Sequence, residues 1–204
     1  MQTTEFIDLV ASGRSLRFNV VPLVFLARGI QDVFAKKNNK SLRDTLAHRR
    51  YKSLSKTVWP QCTAALDKPL GLFLAELKTQ GDNTYRRFLN PHGDKTYCHF
   101  RLANGPYSAL KGLYLYTCSG EIVYIGRSFD PFAKRVDQGY GKIHPKNCFI
   151  DGQSTNCHHN ALIAEQHGNV AFYVCPMTDD RLIETTERVL IQQRKPKWNV
   201  ALAR

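Results

Sequence analysis

Tyr114 and Tyr124 stand ten positions apart, in the apolar runs "LYLYTC" and "IVYIG". The alternation in those runs predicts two strands, with Cys118-Ser119-Gly120 as the loop between them and Gly120 at the position that needs φ > 0. This register sets Thr117 opposite Glu121 and Tyr114 opposite Tyr124. Both phenols then share one face, while Leu113, Leu115, Val123 and Ile125 pack on the other. Such a pair either stabilises the hairpin, by up to about 1 kcal/mol, or offers two hydroxyls side by side to a ligand. Gly126 lets the chain pass closely by a neighbour or a ligand.

A second candidate lies in the last predicted helix, "DDRLIETTERVLIQQRK". Leu182, Ile183, Thr186, Val189 and Leu190 form its apolar face, with Ile191 at one edge. At about 100° per residue, Glu187 falls between Ile183 and Ile191, at the margin of the buried stripe. A carboxylate buried there without a partner is expensive. Either a cation answers it, and a hard oxygen ligand suits Mg²⁺, or a salt bridge to Arg188, Arg135 or Lys134 does.

"GLY" at 112–114, "YIG" at 124–126, an arginine in the following helix, a glutamate in a late helix and "KPKWN" together resemble the GIY-YIG nuclease family. The resemblance covers about residues 111–200. The run "ERVLIQQRKPKWN", from Glu187 to Asn199, is similar in spacing to the family's excision-repair members. The resemblance implies an α+β fold with a three-stranded antiparallel sheet flanked by helices, and metal-dependent hydrolysis of phosphodiesters. It also implies roles. Tyr114 would be the general base or would hold the attacking water, and Tyr124 would support it through hydrogen bonds. Arg135 would stabilise charge on the phosphate, and Glu187 would hold one Mg²⁺, for which Mn²⁺ can substitute. Asn199 would brace the site, and Arg127, directly after "YIG", would contact phosphate. Leu113 stands where the family name has isoleucine. The family's arginine position falls on Lys134, and one extra residue in "RSFDPF" moves the role to Arg135. The His or Tyr one turn further on matches Tyr140, with His144 as the weaker match.

The chemistry is consistent in itself. A tyrosine with a reference pKa near ~10 is a poor base in water, but adjacent cations and a metal favour its anion. Charge developing on a pentavalent phosphate needs fixed cations around it.

These residues need elements to carry them. After the two tyrosine strands, "DPFAKRVDQ" and "QSTNCHHNALIAEQH" read as helices, "NVAFYVCP" as a third strand and 179–195 as the long helix, stopped before Pro196. Upstream, residues 22–37 read as a helix from Leu23, Leu26, Ile30, Val33 and Phe34. A second helix starts at Ser41, where "SLRD" forms a capping box. Together they could be a helix-turn-helix reader of DNA or a solvated basic helix touching phosphate. "DKPLGLFLAELKTQ" reads as another helix and "KTYCHFRL" as a strand. Gly and Pro cluster near 102–111, which predicts a mostly helical region over 1–105 and the nuclease-like domain over 106–204.

Charge points the same way. The chain of 204 residues carries a net charge of +12, which favours polyanions. Residues 1–110 hold 17 Lys+Arg against 8 Asp+Glu, and 111–204 hold 12 against 9. Residues 36–56 hold eight Lys/Arg and one acid, so Lys36, Lys37, Lys40, Arg43, Arg49, Arg50 and Lys52 are the expected phosphate contacts. Gln153, Ser154, Thr155 and Asn156, at the start of a predicted helix, are further candidates. A zinc site from Cys148, Cys157, His158 and His159 competes with that reading, although structural zinc usually takes tighter ligand pairs.

The most apolar stretch, "VVPLVFLARGI", is too short to span a membrane. Nothing at the N-terminus resembles a signal peptide, and the six cysteines contain no CxxC pair. A cytoplasmic protein with reduced thiols is expected. The function expected is a Mg²⁺-dependent endonuclease on double-stranded DNA, of restriction type or associated with a mobile element. A structure-specific repair nuclease and a non-cleaving nucleic-acid-binding protein are the alternatives. One site cuts one strand, so cleavage of both requires a homodimer or two successive events.

Overall fold

A computed structural model describes residues 4–199; residues 1–3 and 200–204, the outer ends of the two expected domains, lie outside it. Strands β1 (Phe6–Ala11), β2 (Arg14–Val21) and β3 (Leu23–Ile30) come first, then helices α1 (Leu42–Ala47), α2 (Lys52–Val58) and α3 (Leu70–Thr79). Strands β4 (Tyr97–Leu102), β5 (Gly112–Cys118) and β6 (Glu121–Ser128) follow. Helix α4 (Phe132–Lys134) runs into a π-helical turn (Arg135–Tyr140), and α5 (Ser154–Glu165), β7 (Val170–Pro176) and α6 (Asp180–Arg194) complete the order.

The chain forms two compact units, each from separate segments. One gathers residues up to Ala27, His99–Lys142 and those from Glu165 on; the other is Arg28–Cys98 with Ile143–Ala164. This partition differs from a single cut after residue 105, because β1 and β2 belong with the C-terminal strands and most of α5 with the N-terminal helices.

The first unit is built on an antiparallel sheet in the order β1-β2-β7-β5-β6. The sheet has five strands, not three, within an α+β chain. The added pair is a hairpin closed by Ser12-Gly13, both at positive φ (49° and 75°). That is the two-residue turn whose twist matches antiparallel strands. β2 then joins β7 through Asn19↔Val174, Val20↔Tyr173 and Val21↔Phe172. One core collects Leu9, Leu16 and Phe18 with Leu113, Leu115 and Ile125, and takes Ile183, Leu190 and Ile191 from α6. The apolar stripe predicted for α6 is therefore the one it buries.

The β5–β6 register corrects the expected one. The turn is two residues long, Ser119 at φ 53° and Gly120 at φ 88°, so Cys118 pairs with Glu121. A bulge follows: Thr117 pairs with Ile122 and Tyr116 with Tyr124, leaving Val123 as the extra residue. Tyr114 consequently lies opposite Gly126, not Tyr124.

The second unit is mostly helical. Its core includes Phe34, Leu42, Leu46, Tyr51, Leu70, Phe73 and Phe88, with Cys148, Phe149 and Cys157. Ser41 caps α1 as expected: its hydroxyl accepts from the Asp44 amide, and the Asp44 carboxylate accepts from the Ser41 amide. The long basic helix predicted beyond it breaks at His48, whose backbone is extended, into a 3₁₀ turn (Arg49–Tyr51) and α2.

The helix predicted over 22–37 is absent. Residues 23–30 form β3, which pairs with β4 in a two-stranded sheet, and only Val33–Lys36 turn, as 3₁₀. Gly29 at φ 65° and Asp32 at φ 54° take left-handed conformations that a right-handed helix cannot include. The helix-turn-helix expectation fails with it, and so does a mostly helical start to the chain. Among the described residues no helix is long and apolar enough to cross a membrane, and the six cysteines form no disulfide.

Candidate active site

Within the first unit, the C-terminal half of β6 and the loop after it border a cleft of about 390 Å³. Its lining is Tyr114 from β5, Tyr124, Arg127 and Ser128 from β6, Phe129 and Asp130 from the loop, Arg135 from the π-helical turn and Glu187 from α6. Four separate elements thus bring together five residues expected to act jointly. Ser128, Phe129 and Asp130 were not expected, although they directly follow Arg127 in sequence.

Tyr114 and Tyr124 share a face despite the changed register, with ring centroids 6.0 Å apart. Gly126 makes this possible, because a Cβ there would lie 2.7 Å from the Tyr114 ring and hydroxyl and from the Tyr124 ring. Tyr140 completes a phenol cluster. Its hydroxyl shares a hydrogen bond of 2.7 Å with that of Tyr114 and accepts from the Arg135 guanidinium. Arg135 Nε donates to Tyr114 Oη at 3.3 Å, and the guanidinium lies 4.5 Å from the Tyr140 ring centre. One arginine therefore fixes two phenol oxygens.

Among the protein groups alone, burial outweighs the cation beside Tyr114. Burial pushes the Tyr114 phenol well above its ordinary range; the Tyr140 oxygen adds to this, and Arg135 opposes it. Tyr124 and Tyr140 are raised by burial in the same way. Desolvation outweighs one nearby cation, so these phenols keep their protons and act as hydrogen-bonding groups.

Glu187 is buried at the cleft wall, with only 9% of its side chain exposed. Its partner is Arg127, not Arg188, Arg135 or Lys134. The same guanidinium reaches Glu184 at 3.3 Å, one turn earlier on α6. Burial raises the Glu187 carboxyl above its ordinary range, Arg127 opposes the rise and Glu184 adds to it. No group of three or more His, Cys, Asp or Glu comes together as a metal cage among the described residues. The Cys148, Cys157, His158 and His159 set accordingly does not form a zinc site. A hard cation that draws on one or two carboxylates and completes its shell from water and phosphate suits Glu187, provided Arg127 lets go.

Lys134 and Arg135 occupy different positions. Lys134 is exposed and paired with Asp130 at 2.7 Å, while Arg135 faces the cleft. His144 caps the 3₁₀ turn Pro145–Cys148, its Nδ1 accepting from the Lys146 amide. Asn199 lies outside the cleft lining and braces it. Its amide accepts from Ile125 N at 3.0 Å and donates to Ile125 O at 2.7 Å, and Trp198 N donates to Val123 O. β6 is an edge strand, and these contacts satisfy polar groups that an edge leaves open.

The predicted phosphate contacts lie in the second unit. Lys36, Lys40, Arg49, Arg50 and Lys52 are exposed and Lys37 is half-buried. Arg43 is engaged by Asp67 at 2.9 Å. The basic segment meets the segment before α5. Lys37 Nζ lies 4.9 Å from the Phe149 ring centre, Arg50 donates to Ile150 O at 3.5 Å and Tyr51 donates to Asp151 Oδ1 at 2.7 Å. Burial pushes the Lys37 ammonium below its ordinary range; Asp151 opposes this, and Lys40 and Lys146 reinforce it. Gln153 and Thr155 are exposed and Ser154 partly so, whereas Asn156 is buried and donates to Gln153 Oε1 at 2.9 Å. Lys37 and Arg50 of the first set thus lie against residues 149–151, just before the second set, and Lys146 is an unforeseen neighbour of Lys37.

No family model, curated protein or solved structure matches the chain.

Proposed function

We propose that the chain is a Mg²⁺-dependent DNA endonuclease of the GIY-YIG type. The observation that carries this reading is the shared cleft: two tyrosines, two arginines and a buried glutamate, from four elements, around a space of about 390 Å³. The pocket sets two arginines beside two carboxylates, the buried Glu187 and the exposed Asp130. It suits a substrate that brings its own phosphate and a cation together. A bound Mg²⁺ supplies charge stabilisation at the leaving oxygen. The phenols of Tyr114 and Tyr124, protonated and oriented by Tyr140 and Arg135, hold the attacking water. Arg135 balances charge on the phosphate, and Arg127 moves from Glu187 to phosphate as substrate enters. Asn199 holds the edge of β6, and so the aim of Tyr124 and Arg127.

The basic surface of the second unit, with Lys36, Lys37, Lys40, Arg49, Arg50, Lys52, Lys146 and the start of α5, grips the duplex through phosphates. Binding so built weakens steeply with salt. A restriction-type or mobile-element role ranks ahead of structure-specific repair.

Purified protein is incubated with Mg²⁺ and several plasmids, and the ends are sequenced. Discrete ends are expected for a restriction-type enzyme and structure-dependent nicks for a repair enzyme. Glu187→Ala abolishes cutting and leaves DNA binding largely intact. Equal cutting by that variant removes Glu187 from the metal site. Absence of any product from the wild-type chain, with binding preserved, overturns the hydrolase reading in favour of a non-cleaving binder.

A further inference from the structure

The cleft wall contains an aromatic side chain that the proposed phosphate and metal roles do not use. Phe129 lines the cleft beside Arg127, Arg135 and Glu187, yet 47% of it is exposed. The neighbouring aromatic, Phe132, is fully buried, so the loop's own core does not need Phe129. Its ring has a polar neighbour: the Arg127 guanidinium carbon lies 5.4 Å from its centre.

The segment presenting it is held firmly. Ser128 Oγ donates to Asp130 O at 2.7 Å, and Lys134 ties Asp130 from one turn later. Phe132 N donates to Leu110 O and Ala133 N to Ser108 O. A ring held so at the mouth of a phosphate pocket loses little freedom on binding a flat partner, and within one nucleotide's reach of a bound phosphate that partner is a nucleobase.

We infer that Phe129 is a stacking platform for the base adjoining the phosphate bound at Arg127 and Arg135. Every base has a π-face, so such a platform is tolerant of sequence. A base inside a continuous duplex is already stacked on both sides. The substrate therefore presents an unstacked base at the cut: a single strand, a branch or a base turned out of the helix. This inference rests on the nuclease reading and narrows its substrate class.

The test uses the full chain without metal, so that nothing is cut, and a short single-stranded DNA carrying 2-aminopurine. Phe129→Ala is expected to weaken binding about 5- to 150-fold, the equivalent of about 1–3 kcal/mol per stacked base. Phe129→Trp retains affinity and quenches the probe at one position. An abasic residue at that position weakens the wild type but not Phe129→Ala. Thermal melting of each variant checks folding, which an exposed side chain should hardly change. Binding by Phe129→Ala within twofold of wild type, while Arg127→Ala and Arg135→Ala weaken it, overturns the platform and leaves the phosphate cleft standing. If none of the three substitutions weakens binding, the cleft is not a nucleic-acid site and both readings fall.

Discussion

On the proposed reading Arg127 and a metal ion compete for Glu187, and replacing Arg127 with methionine tests that competition. The substitution keeps the apolar stem and removes the charge that pairs with Glu187 and Glu184. Breaking a fully buried ion pair by removing one partner costs about 3–5 kcal/mol. Glu187 has only 9% of its side chain exposed but Arg127 has 32%, so water screens the arginine in part and about 2 kcal/mol is the better figure here. An incoming cation must overcome that link in the wild type and not in the variant. Since about 1.4 kcal/mol is a factor of ten, Arg127→Met should bind Mn²⁺ about 30-fold more tightly in the absence of DNA.

Burial already holds the Glu187 carboxyl above its ordinary range, and loss of Arg127 raises it further. The titration therefore belongs at the alkaline end, at pH 8, where competition from protons is smaller in both proteins. Calorimetry or the paramagnetic signal of free Mn²⁺ reads the affinity directly. The same variant should cut DNA poorly if Arg127 makes the proposed phosphate contact. Mn²⁺ affinity equal to or weaker than wild type would rule out such a competition. The Arg127–Glu187 pair would then be structural, with no metal site waiting behind it.

Three further outcomes follow. Tyr140→Phe removes the hydroxyl that bonds Tyr114 and accepts from Arg135; a hydrogen bond to a charged partner is worth about 1.5–3 kcal/mol, so single-turnover cleavage should fall about 10- to 150-fold with DNA affinity unchanged. Asn199→Ala leaves both polar groups of Ile125 unsatisfied; at about 1–3 kcal/mol for each buried orphan, a clear fall in melting temperature is expected, and an unchanged melt would mean that water replaces the brace. His92 and His158, with ring centres 4.4 Å apart, are both held below the ordinary imidazole range, first by burial and then by Lys95 and His92 respectively. The unfolded chain thus binds more protons, so stability is full above pH ~6.5 and is lost as pH falls through that value toward the lowered folded one; His158→Gln should flatten the drop in urea midpoint between pH 7.5 and 5.5, and an equal drop in the variant would place the acid sensitivity elsewhere.

The cleft was legible in sequence although the hairpin register was not, and the reason is parity. The expected pairing set Tyr114 opposite Tyr124; the actual one sets it opposite Gly126, a shift of two. A shift of one flips every side chain to the other face, whereas a shift of two keeps the face. The bulge at Val123 and the shorter Ser119-Gly120 turn together gave the even displacement. Sequence periodicity therefore fixed which face carried the phenols and left open which residue faced which.

Glu187 is the converse case. The helical wheel located it at the margin of the α6 stripe, but a wheel says nothing about which strand lies alongside. Its partner came from β6 through a long arginine that no local pattern could assign. The start of the chain differs from expectation for another reason. Residues 23–34 satisfy helical spacing, and Gly29 and Asp32 take left-handed conformations that exclude a right-handed helix there. The β1–β2 hairpin did carry a signal, the Ser12-Gly13 turn between alternating runs. It sits at the far end of the chain from β7, so its place in the sheet depends on a long-range pairing that local propensity does not encode. Where the cleft depended on face and composition it could be read from the sequence. Where it depended on which distant segment closed the sheet, or which cation met the acid, it needed the fold.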